Sequence, residues 1–371
     1  MTRGGRLPSL ETSRMTRLYE FLISLAIVAV LFVIVGVVLP DRRQVTQSVE
    51  TNRRQTIVFD VVNSFQRFRD WNAVSARDPA IELKLSGPES GKGARVDYVS
   101  KEKGIGSGHW VIADSKPKSR VDYTIESKGW GNNKRSSIIL EPTGRNNRNV
   151  KITQTYDVDY GWNLIGRYSG LYVGSFTGED IKIGLARLTH MLAGIPNQDY
   201  AQAGNRLEGL EVVTVPAQHV LMVNSGAIKR NDESIQAAIK SNQEWIKRVM
   251  DANGLEAAGP VRIVTNELSR ENYNFDVVQS VRKTGQEGEA AGDMTVTLQG
   301  PVKYELQPEF NAARGKFTGY FPELEAMRSA VRAWSMVRGK EVAGRPFEIY
   351  TGGVDAAFTG SGQFEVYWPL K

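Results

Sequence analysis

The residues best placed to do chemistry stand at the C-terminal end of the chain, in Phe364-Glu365-Val366-Tyr367-Trp368-Pro369-Leu370. Read as an alternating strand, this stretch turns Phe364, Val366 and Trp368 to one face and Glu365 and Tyr367 to the other. A carboxylate beside a phenol ring attracts a cation through charge pairing and through the ring face; an ordinary solvent-facing glutamate fits the same pattern. His109 is a second titratable candidate, but it neighbours Trp110 on another alternating stretch, so His109 faces solvent if Trp110 points inward. The absence of cysteine excludes disulfides, thiolate nucleophiles and the common zinc knuckles, and His109, His190 and His219 are too far apart to form a metal motif. With no Gly-rich phosphate loop and no nucleophile elbow either, no cofactor and no metal are expected, and no catalytic residue is assigned.

Those residues belong to a chain of 371 residues, long enough for about two domains. Its net charge of +6 is unevenly spread, since residues 41–200 carry +6 and residues 201–371 carry −2. The basic side chains of the first half are scattered, with no dense run and no nucleic-acid motif, so no nucleic-acid partner is expected. Residues 21–39 contain no charge and only Ser24 as a strongly polar side chain. A helix of that length matches the thickness of a hydrocarbon core and exceeds the apolar region of a cleaved signal peptide, which favours a retained anchor. The expected order is a short basic tail over 1–17, a transmembrane helix over 18–40, a first soluble domain over 41–199, a linker over 200–207 and a second domain over 208–371. Basic residues flank the helix on both sides, and the short N-terminal tail is expected on the cytoplasmic side with the remainder translocated.

After the anchor comes a short alternating stretch near Val45, then an amphipathic segment from Ile57 to Phe68. Six candidate strands follow at 81–85, 94–99, 108–113, 121–127, 136–140 and 150–158, and then a helix with Ile181, Leu185, Leu188 and Leu192 on one stripe. This order describes a curved antiparallel sheet gripping one helix. With Val61-Val62-Asn63-Ser64-Phe65, Trp71-Asn72, Gly87-Pro88 and Gly184-Leu185-Ala186-Arg187-Leu188, it resembles the SRPBCC superfamily (START-like, polyketide cyclase/dehydrase-like) in its membrane-anchored bacterial form. The resemblance implies an apolar cavity that holds a hydrophobic small molecule or lipid; together with the orientation read from the basic N-terminus, the expected location is a bacterial inner membrane with the soluble part periplasmic. Trp110, Tyr123, Tyr156, Trp162, Tyr172 and Phe176 are the candidate lining, or else they are rings that fill the core.

The second region repeats itself. Gly254-Leu255-Glu256-Ala257-Ala258-Gly259 returns as Gly339-Lys340-Glu341-Val342-Ala343-Gly344, each after an amphipathic helix and before a strand, and Phe275-Asp276-Val277 returns as Phe364-Glu365-Val366. Two strand-helix-strand-strand units follow, and the region resembles the GyrI-like small-molecule-binding domain, also known as the effector-binding domain of AraC-type regulators. The resemblance implies a groove between the repeats that takes amphipathic, often cationic, ligands, with Glu365 facing it and Tyr367, Tyr320, Phe321, Tyr350 and Trp334 around it. Trp334 also falls on the helical stripe Leu324, Met327, Val331, which suits core packing. The expected fold class is therefore α+β: a transmembrane helix, a helix-grip antiparallel sheet domain and a GyrI-like domain of two repeats. The expected function is small-molecule binding in sensing or sequestration. The alternative is an enzyme, either cyclase-like in the first domain or a hydrolase acting through Glu365.

Overall fold

The computed structural model describes residues 10–201, 206–285 and 294–371, with side chains from residue 17 onward. Residues 1–9 of the expected basic tail and 202–205 of the expected linker lie outside the described residues. The described residues divide into two compact units: one within 10–50, 69–141 and 151–188, the other within 51–68, 142–150, 189–201, 206–285 and 294–371.

Helix α1 (Leu10–Val38) opens the first unit. From Arg17 to Val38 it is long and apolar enough to cross a membrane. Its side chains from Leu18 to Val38 are almost all exposed, so it is not a core helix. Pro40 then disfavours helical geometry at the residue before it, and the chain turns into β1 (Arg42–Thr51). Three short helices follow, α2 (Gln55–Val62), α3 (Phe68–Trp71) and α4 (Ala73–Arg77). Then come β2 (Glu82–Ser86), β3 (Arg95–Val99), β4 (Ser107–Lys116), β5 (Arg120–Ser127), β6 (Asn132–Thr143) and β7 (Asn149–Asp159), the six strands that alternation and turn residues predict. They form a seven-stranded sheet in the order β1-β7-β6-β5-β4-β3-β2. Period-two burial makes its inner face: Val96 and Tyr98 on β3, Trp110 and Ile112 on β4, Val121, Tyr123 and Ile125 on β5, Ile138 and Leu140 on β6. The unit closes with α5 (Leu164–Ser169) and the long α6 (Val173–Ala193), whose buried stripe begins at Ile181 and continues through Leu185 and Leu188.

The second unit is built on β8 (Leu207–Val215), β9 (Gln218–Asn224), β10 (Ile228–Lys229), α7 (Asp232–Ala252), β11 (Leu255–Ala257), β12 (Arg262–Leu268), β13 (Asn272–Lys283), β14 (Lys303–Gln307), β15 (Phe310–Gly319), α8 (Leu324–Val337), β16 (Phe347–Tyr350), α9 (Val354–Ala357) and β17 (Gly362–Pro369). Helix α7 starts where the Asn231 side chain accepts from the Ser234 amide, and it buries Ile235, Ile239, Ile246 and Val249. Both long helices of this unit stop at a glycine in the left-handed region, Gly254 (φ 62) and Gly339 (φ 72), which is why the same hexapeptide pattern recurs after each. The ten-stranded sheet runs β14-β9-β13-β12-β16-β17-β15-β8, with β10 and β11 added on β13. Its centre is a palindrome: β9, α7, β12 and β13 of the first repeat mirror β15, α8, β16 and β17 of the second, and the copies meet where β12 pairs β16. Segment 51–68 belongs to this unit, where α2 lies against α8 and the Arg67 guanidinium donates to the Met336 carbonyl at 2.9 Å.

Candidate functional site

On the sheet of the second unit, Glu365 stands opposite Lys316 of β15 and Ile349 of β16, and Tyr367 stands opposite Arg314 and Phe347. The pleat therefore puts Glu365 and Tyr367 on one face, as alternation predicts, and the Tyr367 hydroxyl donates to Glu365 Oε2 at 2.6 Å. Arg314 Nη1 lies 3.7 Å from Glu365 Oε1, and Arg314 also pairs with Glu211. The ring of Tyr367 stacks on Phe347 with centroids 4.6 Å apart and an interplanar angle of 7°. The Arg262 guanidinium sits 4.8 Å from the Phe347 centroid. Burial, reinforced by the bond to Glu365, pushes the Tyr367 phenol up to about 12, so it stays a neutral donor. Arg262 is 4% exposed and donates to Gln218 Oε1 at 2.6 Å and Gln307 Oε1 at 2.7 Å; desolvation lowers it to about 10. Glu365 thus has one phenol donor and one guanidinium beside it. It also lines an open groove of about 500 Å³ together with Arg206, Glu208, Lys316, Phe317 and Phe364.

The other four residues expected around one groove lie elsewhere in this unit. The Tyr320 hydroxyl bonds to Asp232, and Phe321 stacks on Phe358 at 5.0 Å. Asp232 and Phe321 line a separate small pocket of about 110 Å³ with Tyr273 and Arg328. Tyr350 is 1% exposed and meets Phe364 edge-on at 5.1 Å, within the core. Trp334 is buried on α8 under Arg338, whose guanidinium is 4.4 Å from the ring. The reason is the pleat: Tyr350 pairs with Phe364, which points to the face opposite Glu365, and α8 buries its apolar stripe. Asp276, the repeat mate of Glu365, is buried and accepts from Asn224 at 2.6 Å, Asn266 at 2.8 Å and Arg345 at 2.9 Å.

Sequence reasoning missed a charged pair in the core. Glu348 on β16 is fully buried and is held by Arg328 of α8, whose Nη2 donates to Glu348 Oε2 at 2.9 Å and to the Tyr273 hydroxyl at 3.2 Å. Burial works against the Arg328 charge, but Glu348 outweighs it and raises its pKa. The signal was present: alternation puts Glu348 on the face opposite Phe347 and Ile349, and Arg328 stands one turn after Leu324 on the apolar stripe of α8.

In the first unit Trp110 and Tyr123 are buried on the inner face of the sheet, ring centroids 5.5 Å apart and edge-on, and Tyr156 is half-buried with its phenol pushed up by desolvation. With Trp110 inward, His109 lies on the outer face, 3.7 Å from Glu126. Trp162, Tyr172 and Phe176 correct the expectation of an internal lining, because they are 81%, 62% and 65% exposed. They belong to the connection through α5 and the first turn of α6, ahead of the point where the inward stripe of α6 begins. The inner face also carries Lys134, in step with Ser136, Ile138 and Leu140 along β6. Lys134 is 7% exposed and donates to the Ser127 carbonyl at 2.7 Å and hydroxyl at 3.1 Å; desolvation lowers its pKa.

The charged form of Lys134 is the one that burial penalises. The penalty is present below the depressed folded pKa and is relieved as pH rises from there toward the ordinary 10.5. The expected result is that Lys134→Met is more stable relative to the natural chain near pH 8 than near pH 10. The comparison between the two proteins is the readout, because buried tyrosines, common to both, move stability the other way. Denaturation midpoints at the two pH values check it, and a difference independent of pH would refute it.

Among the described residues, no group of three or more His, Asp or Glu side chains converges as metal ligands. No curated protein sequence matches the chain. Among solved structures, the crystal structure of the EcmrR C-terminal domain is 16% identical, with 44% of this chain and 97% of that one covered and a TM-score of 0.35. The EcmrR–DNA complex matches at 17% identity over 56% and 72% of the two chains, TM-score 0.36. Truncated norcoclaurine synthase from Thalictrum flavum matches at 11% identity over 41% and 94%, TM-score 0.33. Residues 42–192, from β1 through nearly all of α6, match the model of the family described as polyketide cyclase / dehydrase and lipid transport.

Proposed function

We propose that this is a single-pass membrane protein carrying two small-molecule-binding domains in series, over residues 41–199 and 208–371, in ligand sensing or sequestration at a bacterial inner membrane. The N-terminus is cytoplasmic and the domains are periplasmic. The SRPBCC-like domain takes a hydrophobic molecule or lipid, and the GyrI-like domain takes an amphipathic one. The observation that carries the second site is the Glu365–Tyr367 pair beside the open groove, which is lined by the charged side chains of Arg206, Glu208, Lys316 and Glu365 above the buried rings of Phe317 and Phe364. Such a lining meets the polar head of an amphipathic ligand. A cationic head pairs with Glu365 by taking the place of Arg314, so Glu365 is the discriminating residue.

Glu365→Gln keeps the shape and removes the charge. Calorimetric titration with a lipophilic cation and a neutral analogue of the same shape tests the reading. The cation should bind more weakly by about 1–3 kcal/mol, the range for a charge-assisted hydrogen bond, and the neutral analogue should change far less. Equal losses for both, or a loss that follows unfolding, would return Glu365 to the role of a surface residue.

The second reading is an enzyme, and its candidate group is Lys134, an amine buried on the inner face of the first sheet where a lysine can serve as a base or nucleophile. Recovery of chemically altered ligand after incubation, lost in Lys134→Met, would favour the enzyme; unchanged ligand favours binding alone.

A further inference from the structure

Between Tyr160 and Gly178 the only charged residue is Arg167, yet the segment is strongly exposed. Trp162 is 81%, Ile165 55%, Leu171 51%, Tyr172 62% and Phe176 65% exposed. The one charge is turned inward. Arg167 is 7% exposed, and its guanidinium donates to the carbonyls of Gly161 at 2.8 Å, Val37 at 2.8 Å and Leu39 at 3.0 Å. It thereby satisfies carbonyls that the end of α1 leaves without helical partners.

Tyr168 fastens α5 to α1 a second time. Its ring stacks on Phe32 at 4.4 Å and 9°, and its hydroxyl donates to the Phe32 carbonyl at 2.8 Å. Gly36 allows the approach, since a Cβ there would lie 3.2 Å from Leu164 Cβ and 3.3 Å from the Tyr168 ring. Phe32 precedes the end of α1 at Val38 by six residues, which at 1.5 Å per residue is roughly 9 Å along the axis. The anchor's own last two turns therefore hold α5 at the level of the bilayer boundary. The charged surface of α6 begins only after Gly178, with the Glu179–Lys182 pair.

We infer that Trp162, Ile165, Leu171, Tyr172 and Phe176 form a second membrane contact, seated in the headgroup and upper acyl region of the lipid leaflet around the C-terminal end of α1. The inference rests on reading α1 as a membrane span. Tryptophan and tyrosine are the residues that favour this layer, and an exposed apolar patch without charge fits lipid rather than water. The occupant is lipid because the patch is continuous with α1, which reaches into the bilayer beside it. Two attachments, the span and the patch, fix the tilt of the first unit against the membrane.

The chain has no cysteine, so single substitutions label uniquely. Full-length Phe176→Cys, Ile165→Cys, Leu31→Cys and Glu89→Cys, each carrying the environment-sensitive dye NBD, are reconstituted in phosphatidylcholine–phosphatidylglycerol vesicles. Nitroxide at shallow and deep acyl positions serves as quencher. The expected result is blue-shifted emission at positions 176 and 165, quenched about twofold or more by the shallow nitroxide, with position 89 unaffected and position 31 quenched by the deep one. Positions 165 and 176 are both exposed, so either label reports if the other variant folds poorly. Water-like emission at both, with position 31 still quenched, overturns the patch and leaves the anchor standing. An unquenched position 31 overturns both. Blue shift that vanishes as protein is diluted in lipid assigns the patch to a second copy of the chain and also overturns the proposal.

Discussion

Replacing Arg328 by Met is expected to destabilise the second unit by about 3–5 kcal/mol, because Glu348 would remain fully buried without its cation. The loss is not the worth of the pair itself; it is the penalty of one uncompensated carboxylate among the buried phenols of Tyr273 and Tyr350. Two consequences separate this account from simple loss of packing. The double variant Arg328→Met, Glu348→Leu should recover most of the stability, since replacing a whole buried pair by apolar side chains is close to neutral or better. The single variant should also be less impaired at acidic pH, where the stranded Glu348 takes up a proton and sheds its buried charge. Chemical denaturation of the full chain, followed through the unfolding of the second unit, measures all three. A single variant within about 1 kcal/mol of the natural chain would mean that Glu348 finds other compensation.

The second large effect separates residues that sequence reasoning grouped together. Tyr123→Ala should cost about 3–5 kcal/mol, as expected for deleting an aromatic ring that is 1% exposed on the inner face of the sheet and in contact with Trp110. Trp162→Ala should cost no more than about 1 kcal/mol, since that ring is 81% exposed and its neighbour within the fold is the Arg167 guanidinium at 5.5 Å. The same denaturation experiment in detergent compares the two. Comparable losses would contradict the placement of Trp162 outside the core.

The elements were largely legible because period-two and helical spacing are local signals. Ile181, Leu185 and Leu188 announced α6, and the glycines at 254 and 339 announced both the helix ends and the repeat. Aromatic residues were legible where they sat on a strand with buried neighbours, as Trp110 and Tyr123 do. They were misread in the connection from β7 to α6, where no period fixes a face, so Trp162, Tyr172 and Phe176 looked like core candidates by type alone. The Glu365–Tyr367 face followed from alternation. Its resident partner Arg314 did not, because that contact depends on strand register, which only the fold supplies. Lys134 was missed for a different reason: a lysine in step with Ile138 and Leu140 contradicts the usual preference for exposure, and alternation had to be trusted over residue type.

The palindromic sheet of the second unit has its outer strands exchanged. Strand β8 precedes the first repeat in the chain but pairs with β15 of the second, and β14 precedes the second repeat but pairs with β9 of the first. Leu207 therefore waits for Phe317, 110 positions later, before its hydrogen bonds can form. Neither repeat can seal its own edge as it leaves the ribosome, so β8 and β9 stay open on that side until β14 and β15 have been made. Loop closure over such a span is slow, and it ties the two halves into one cooperative event.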